Sequence, residues 1–161
     1  MTRYTDFFSA AAALGTIEHL DVEAMRLLFK VERSGEDFYN GLADRIGDPR
    51  AAELLRRNGR EERGHAARVR RAIAIKLGGT FEPAPEDLEH YPIPLPDEIS
   101  PALFPQIVKA EIDGDAGYHR WADRETDPEV QRLLRLNGRE ETVHGERVTE
   151  VMAILERRPA R

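Results

Sequence analysis

The chain has 161 residues, of which 40% are apolar and 34% are charged, and its formal net charge is −6. This length suits one domain with one continuous core, so we predict a single domain over residues 1–161. The absence of cysteine excludes disulfides, thiolate catalysis and rubredoxin-type iron sites, and the negative charge argues against a nucleic-acid partner.

The first predicted element is a short amino-terminal helix over the apolar residues 7–14. This run is too short to span a membrane, and Asp6 precedes it where a secretory leader would carry positive charge. We therefore expect a cytoplasmic protein with no membrane partner. The apolar surface of this helix is expected to cap the rest of the fold or to form a dimer contact.

Most of the remaining chain is an internal repeat. A shift of 79 positions aligns residues 30–75 with residues 109–154 without a gap, and 22 of the 46 aligned pairs are identical. The longest shared block, Asn-Gly-Arg-Glu-Glu, is followed in both copies by a histidine after two further residues. The sequence therefore predicts two copies of one structural unit, at about residues 21–76 and 100–155.

Each unit is predicted to be a helical hairpin, because its apolar residues recur with a period near 3.6. The first helix of each unit begins after a capping residue, Asp21 or Ser100. The second helix begins at an aspartate followed by proline, first at Asp48 and again at Asp127. Two hairpins give four long helices.

The two units are joined by residues 77–99, which contain five prolines and are predicted to form an extended strap. A helix over residues 49–76 spans roughly 42 Å at 1.5 Å per residue. Because some 20 extended residues reach about 60 Å, the strap can return along the whole bundle. Two hairpins joined by a long crossover have the ferritin-like connectivity. We therefore predict an all-α, ferritin-like four-helix bundle with a short extra amino-terminal helix.

Six polar residues lie on the apolar stripes of the four long helices, near their middles: Glu32, Glu62, His65, Glu111, Glu141 and His144. In a hairpin that turns near Gly47, residues equally far from the turn lie at similar heights. The first two glutamates are each 15 residues from this turn, and the second unit repeats the arrangement. All four carboxylates therefore fall in one cross-section, and each histidine lies on the face of its glutamate, three residues on.

This cross-section is predicted to hold two metal ions. Four buried carboxylates need compensating charge, because burial of an isolated charge is very costly, and two divalent cations would neutralise them. A glutamate from each of two helices plus Glu-x-x-His from each of the other two is the ligand set of dimetal bundles. We assign the Glu-x-x-His glutamates as bridging ligands, the other two as terminal ligands, and one histidine to each metal. Such ligation suits iron or manganese, or a mixed pair, better than copper or structural zinc.

Other polar residues near this cross-section allow more than one interpretation. Tyr39 and Tyr118 lie two turns beyond the terminal glutamates, where they either hydrogen-bond ligand carboxylates or serve as core aromatics. Glu36 and Asp115, one turn beyond those glutamates, either orient the histidines, add a ligand or are charges at the rim.

Two further features are assigned structural roles. The Asn-Gly pairs at residues 58–59 and 137–138 are unfavourable within helices, and they either leave room for a small ligand or permit close helix packing, which we favour. Arg68 and Arg147 are assigned to the surface or to ion pairs.

Three motifs of the first unit, repeated in the second, resemble the rubrerythrin branch of the ferritin-like superfamily: Glu32-(x)6-Tyr39, Asp48-Pro49 and Glu61-Glu62-(x)2-His65. The resemblance covers residues 20 to 155 approximately. It implies a non-haem centre of two iron ions that reacts with dioxygen or hydrogen peroxide and cycles between diferrous and diferric states. It also implies, by analogy, a homodimer.

The chain departs from classical members of that family in two respects. They carry a cysteine-rich rubredoxin domain that delivers electrons, whereas this chain has no cysteine. They also carry an extra carboxylate one turn after the glutamate of the third helix, where this chain has Gly114 three residues on and Asp115 four residues on. Any redox turnover is therefore expected to need a separate electron donor.

Three functions are compatible with these features. The leading hypothesis is a ferroxidase or peroxidase that oxidises bound Fe(II) with hydrogen peroxide or dioxygen, in iron handling or oxidative-stress defence. The second is a protein that stores, delivers or senses metal without turnover. The third is a metal-free helical module that recruits a partner through Arg60, Arg68 and their neighbours.

Overall fold

The computed structural model describes residues 4–157 and has an all-α fold. Its six helices are α1 (Phe7–Leu14), α2 (Val22–Arg45), α3 (Pro49–Lys76), α4 (Pro85–Leu88), α5 (Leu103–Asp123) and α6 (Pro128–Glu156). α2 packs against α3, α5 packs against α6, and the two hairpins meet where α3 packs against α6. The predicted bundle of two helical hairpins and the predicted amino-terminal helix are confirmed.

Aspartate side chains begin three of the four long helices, as the sequence predicts. The Asp21 carboxylate accepts a hydrogen bond from the backbone N–H of Ala24 at 2.8 Å. Asp48 and Asp127 each accept from two backbone N–H groups of the first helical turn. These bonds satisfy donors that have no partner within the helix, and so they fix where each helix starts.

The prediction that Ser100 caps the third long helix is wrong. The backbone N–H of Leu103 donates to the carbonyl oxygen of Ser100 in a turn, and α5 begins only at Leu103. A helix that began at Pro101 would need the N–H of Pro105 as a donor, and proline has none. The later start puts Pro105 in the first helical turn, where an N–H would lack a helical partner anyway.

The strap between the hairpins runs along α2 in the direction of that helix. Near the start of α2 the guanidinium of Arg26 binds the buried Asp87 carboxylate of the strap. Further along α2, the hydroxyl of Ser34 accepts a hydrogen bond from the backbone N–H of Tyr91 at 2.9 Å. The strap therefore carries the chain back to the end of the bundle where α2 finishes and α5 begins.

The strap is not extended throughout, because it contains the single helical turn α4. The carboxylate of Asp87 accepts a hydrogen bond from the backbone N–H of Ala84 at 2.9 Å, which closes this turn. The same carboxylate holds Arg26, so one buried acid both shapes the strap and ties it to α2.

The apolar core consists of two clusters at opposite ends of the bundle. One cluster contains Met25, Val69 and Leu134, and the other contains Leu42 and Val148. The six polar residues singled out above lie in the layer between these clusters. None of the helices within residues 4–157 is long and apolar enough to cross a membrane.

Candidate metal centre

The six polar residues lie together in one buried layer, and each long helix contributes at least one of them. Both histidines are fully buried, and the four glutamates are between 6% and 9% exposed. Six groups that can be charged therefore lie together in the interior of the bundle.

Three carboxylate oxygens surround His65. Its Nδ1 lies 3.3 Å from an oxygen of Glu32, 3.5 Å from an oxygen of Glu62 and 3.6 Å from an oxygen of Glu141. These glutamates come from α2, α3 and α6, so both hairpins contribute to this half of the layer.

His144 has the equivalent surroundings in the other half. Its Nδ1 lies 3.3 Å from an oxygen of Glu62, 3.3 Å from an oxygen of Glu141 and 3.8 Å from an oxygen of Glu111. Glu62 and Glu141 each direct one oxygen to each half, whereas Glu32 and Glu111 each face one histidine only. Two shared and two unshared carboxylates form the pattern of a carboxylate-bridged pair of metal ions.

The donor set fits a pair of cations. The Nδ1 atoms of His65 and His144 are buried and have no hydrogen-bond partner. A buried polar nitrogen without a hydrogen-bond partner is unfavourable, and coordination of a cation by the deprotonated nitrogen would satisfy it. Two donor atoms that each lie about 2.1 Å from a shared metal are about 3–3.5 Å apart, close to the spacing found here.

The opposite nitrogen of each histidine is held by a glutamate from the other hairpin. Nε2 of His65 lies 3.0 Å from a carboxylate oxygen of Glu140, which the guanidinium of Arg68 also contacts. Nε of Arg68 in turn donates to the side-chain oxygen of Asn137 at 2.5 Å. This series of contacts fixes the imidazole ring of His65 with its Nδ1 directed into the layer.

The second histidine repeats this arrangement. Nε2 of His144 lies 3.2 Å from a carboxylate oxygen of Glu61, and Arg147 donates to both oxygens of that carboxylate. Arg147 also donates to the side-chain oxygen of Asn58 at 2.9 Å. Glu61 was not among the predicted site residues, although this glutamate and the arginine both recur in the two repeats, which was a usable signal.

Both tyrosines contact the terminal glutamates, again across the hairpins. The hydroxyl of Tyr39 donates to Glu111, and the hydroxyl of Tyr118 donates to Glu32. Of the two interpretations left open by the sequence, this geometry favours contact with the candidate ligands. Each unshared carboxylate thus has one oxygen bound by a tyrosine and the other directed towards a histidine.

The Asn-Gly pairs permit close helix packing. A Cβ atom at Gly138 would lie 3.0 Å from the Cβ of Tyr118, and one at Gly59 would lie 3.2 Å from the carbonyl oxygen of Glu36. Asn58 donates from its amide to the backbone carbonyl of His144 at 3.2 Å. The pairs therefore bring α2 and α5 close to their partner helices and hold the helix that carries each histidine.

Glu36 and Asp115 lie outside the layer. Glu36 forms an ion pair with Arg63 at 3.2 Å. Asp115 accepts a hydrogen bond from Thr142, and its other oxygen lies 2.9 Å from Nε2 of His119. Neither residue contacts a candidate ligand histidine, so both agree with the interpretation as charges at the rim.

The buried carboxylates divide into two pairs by pKa. Burial raises the pKa of Glu32 to about 8 and holds that of Glu111 well above its usual range. Burial also opposes ionisation of Glu62 and Glu141, but the two histidines outweigh it and hold both pKa values below the usual range. The shared glutamates are therefore ionised at neutral pH, and the unshared ones are protonated in the metal-free protein.

The histidines carry the compensating charge in the metal-free protein. Burial lowers the pKa of an imidazole, but the surrounding carboxylates raise the pKa of His144 to about 9 and that of His65 well above its usual value. The two imidazolium ions and the two ionised carboxylates together have zero net charge. This state holds four more protons than a layer of four carboxylates and two neutral imidazoles. Two divalent cations bring the same positive charge as these four protons.

A cavity of about 530 Å³ leads from the surface to the four glutamates. It lies between α2 and α5, which meet through the tyrosine–glutamate hydrogen bonds but have no Cα atoms within 8 Å of each other. Side chains of α1, including Phe7 and Phe8, cover part of it. The candidate centre is therefore accessible to small molecules from one side.

The family of the chain follows from a comparison with known protein families. The family model described as Rubrerythrin matches residues 23–152, which is most of the chain. The chain therefore belongs to the rubrerythrin family. No curated protein and no solved structure matches it. The family agrees with the buried carboxylate and histidine clusters, whose atoms are close enough together to bind metal.

Proposed function

We propose that this rubrerythrin-family protein holds two iron ions and oxidises Fe(II) with hydrogen peroxide or dioxygen, in iron handling or oxidative-stress defence. The observation that carries the proposal is the pair of unpartnered buried Nδ1 atoms, each facing three carboxylate oxygens at 3.3–3.8 Å. Four carboxylates and two imidazoles give each metal an oxygen-rich environment with one nitrogen, which suits iron.

The ligand roles follow from which histidines each carboxylate faces. Glu62 and Glu141 would bridge the two ions, because each directs one oxygen to either half. Glu32 would complete the half that contains His65, and its counterpart in α5 would complete the half that contains His144. Iron bound here would supply one-electron redox chemistry at two adjacent ions.

The rest of the chain would serve to fix these ligands and to manage their protons. Tyr39 and Tyr118 donate to the terminal carboxylates and hold the oxygen that does not face a histidine. The glutamate–arginine pairs hold the imidazoles in the tautomer that leaves Nδ1 free to bind metal. Reduction of the ions between turnovers would need a separate electron donor.

Two measurements test this proposal. Elemental analysis of protein purified without chelator should find close to two metal ions per chain. After anaerobic loading with Fe(II), addition of hydrogen peroxide in a stopped-flow instrument should produce ferric absorption. Absence of bound metal would refute the metal site, and bound iron that does not react with either oxidant would refute the redox function.

A matched pair of variants on α2 separates site effects from general effects. Glu32→Gln removes a proposed ligand and should lower both the metal content and the rate of oxidation. Glu36→Gln, one turn further along the same helix, removes a carboxylate that pairs with Arg63 outside the layer. The Glu36 variant should behave as the unchanged protein does. Equal behaviour of the two variants would contradict the ligand assignment.

Storage, delivery or sensing of metal without turnover is the second candidate function. One observation favours it: Asp115, the carboxylate closest in sequence to the extra ligand of classical family members, contacts Thr142 and His119 instead of the layer. This function predicts reversible metal uptake with no consumption of peroxide in the presence of any electron donor.

A further inference from the structure

The two repeats carry different side chains at two positions that line the cavity between α2 and α5. Equivalent positions of these helices line it, and on α2 they carry Val31 and Phe38. The positions 79 residues later carry Ala110 and Gly117. Two large side chains in the first repeat are thus opposed by two of the smallest in the second. The two sides of the cavity therefore differ in how much space their side chains leave.

The cavity changes in character from its mouth to its inner end. Exposed polar residues, among them Gln106 and Arg120, lie on its outer margin. The walls are mostly apolar, with Leu28, Ile107 and Trp121 among them. The carboxylates of the candidate metal centre line its inner end. Apolar walls with a few polar groups at the ends are typical of small-molecule sites, and the volume of about 530 Å³ lies within their usual range.

The geometry points to a binding site for an uncharged, elongated, largely apolar organic molecule, such as a medium-chain alcohol, with its hydroxyl at the polar outer margin and its apolar end against the carboxylate layer. The carboxylates do not need this hydroxyl, because the oxygens of Glu32 and Glu111 already contact a tyrosine or a histidine. Hydrogen peroxide and dioxygen would need only a narrow passage, and apolar walls offer no hydrogen bonds to peroxide. A small molecule is favoured over a protein segment because the cavity extends inward to buried side chains and α1 already covers part of it. The statement that the apolar end of the molecule faces metal ions rests on the proposed function, whereas binding of the molecule in the cavity does not.

The chain contains a reporter for this site, because its single tryptophan, Trp121, is one of the lining residues. Titration with 1-decanol should change the Trp121 emission saturably, in both the metal-loaded and the metal-stripped protein. The neutral dye N-phenyl-1-naphthylamine should bind with an increase in its fluorescence, and 1-decanol should displace it. Absence of a saturable change with both probes would overturn the inference.

Variants on α5 distinguish this cavity from unspecific binding. Gly117→Phe places in the second repeat the side chain that the first repeat carries, and it should weaken 1-decanol binding at least tenfold. Ala116→Phe is the matched control, because Ala116 is exposed on the same helix and does not line the cavity. Ala110→Phe, at an exposed lining position, serves if the glycine variant does not fold. Equal binding by all three variants would refute the assignment to this cavity.

A further measurement tests the orientation of the bound molecule and separates this inference from the proposed function. In protein loaded with Mn(II), paramagnetic broadening should be stronger for the methyl protons of 1-decanol than for its hydroxymethyl protons. Probe binding by a chain that takes up no metal would leave the binding site standing and refute the proposed function. Metal uptake and peroxide turnover without probe binding would refute the binding site and leave the proposed function standing.

The same samples test for a second copy of the chain as the occupant. If a second copy covers the cavity, light scattering should show twice the monomer mass, and probe affinity should fall as the protein concentration rises. That result would overturn the small-molecule site in favour of an interface.

Discussion

Metal binding should release about four protons per chain near neutral pH, two for each ion. The prediction follows from the charge balance of the buried layer. In the metal-free protein the raised pKa of Glu32, about 8, and the raised pKa of Glu111 leave both carboxyls protonated at pH 7. The raised pKa of His144, about 9, and that of His65 leave both imidazoles charged. Coordination requires neutral imidazoles and ionised carboxylates, so all four protons must leave.

The sign and size of the pH dependence follow from this count. Each ion competes with two protons. As long as the pH is below the lowest of these pKa values, the apparent affinity per ion should therefore increase about 100-fold for each unit by which the pH is raised. The rise should become less steep above about pH 8, where Glu32 begins to ionise in the metal-free protein, and less steep again above about pH 9, where His144 loses its proton. Metal is therefore expected to dissociate readily under mildly acidic conditions.

Titration with Mn(II), which is stable in air, measures the release directly. Calorimetry in two buffers of different ionisation enthalpy gives the number of protons released per ion, and a pH indicator in weakly buffered solution provides an independent value. Glu36→Gln, which alters a carboxylate outside the layer, should release the same number. Release of fewer than one proton per ion, or an affinity that does not depend on pH, would refute the charge balance derived from the structure.

Two further predictions concern the contacts around the layer. Glu140→Ala removes the acceptor for Nε2 of His65 and should weaken metal binding about 10- to 100-fold, as measured by metal titration, with the helical circular dichroism unchanged. Gly138→Ala places a methyl group 3.0 Å from the Cβ of Tyr118 and should lower the free energy of unfolding by about 1–3 kcal/mol in urea denaturation. Gly64→Ala, whose new methyl group would meet nothing closer than 3.7 Å, should instead raise it by up to about 1 kcal/mol. Equal effects of the two alanine substitutions would contradict the close packing of α5 on α6.

The sequence was sufficient to predict that the six polar residues are buried, because apolar stripes identify the buried face of each helix. A charged residue on such a stripe, such as Glu32, must be buried whatever the details of packing. Residues beside the stripe carry no such constraint. Glu140 is 30% exposed, and it reaches His65 only because α3 crosses α6, a contact between residues 75 positions apart. Periodicity within one helix cannot predict that crossing.

Two other features needed the three-dimensional structure for a different reason. The start of α5 depends on a hydrogen bond that Pro105 cannot donate, which capping preferences alone do not reveal. The cavity depends on the separation of α2 from α5. The alignment of the repeats showed the pairing of Phe38 with Gly117, but only the packed bundle shows that these positions face each other across a gap.

The exchange of contacts between the hairpins bears on how such a centre can arise and assemble. Nε2 of His65 contacts Glu140 of the other hairpin, and Tyr118 donates to Glu32 of the other hairpin. Both shared carboxylates face both histidines, so one hairpin alone completes neither half of the layer. Two identical hairpins related by a twofold axis would present the same six groups, so a half-length ancestor could have worked as a homodimer. Tethering by the strap makes the meeting of the two halves independent of protein concentration. Only after that fusion could the two halves acquire different side chains, such as Phe38 and Gly117, on the two sides of the cavity.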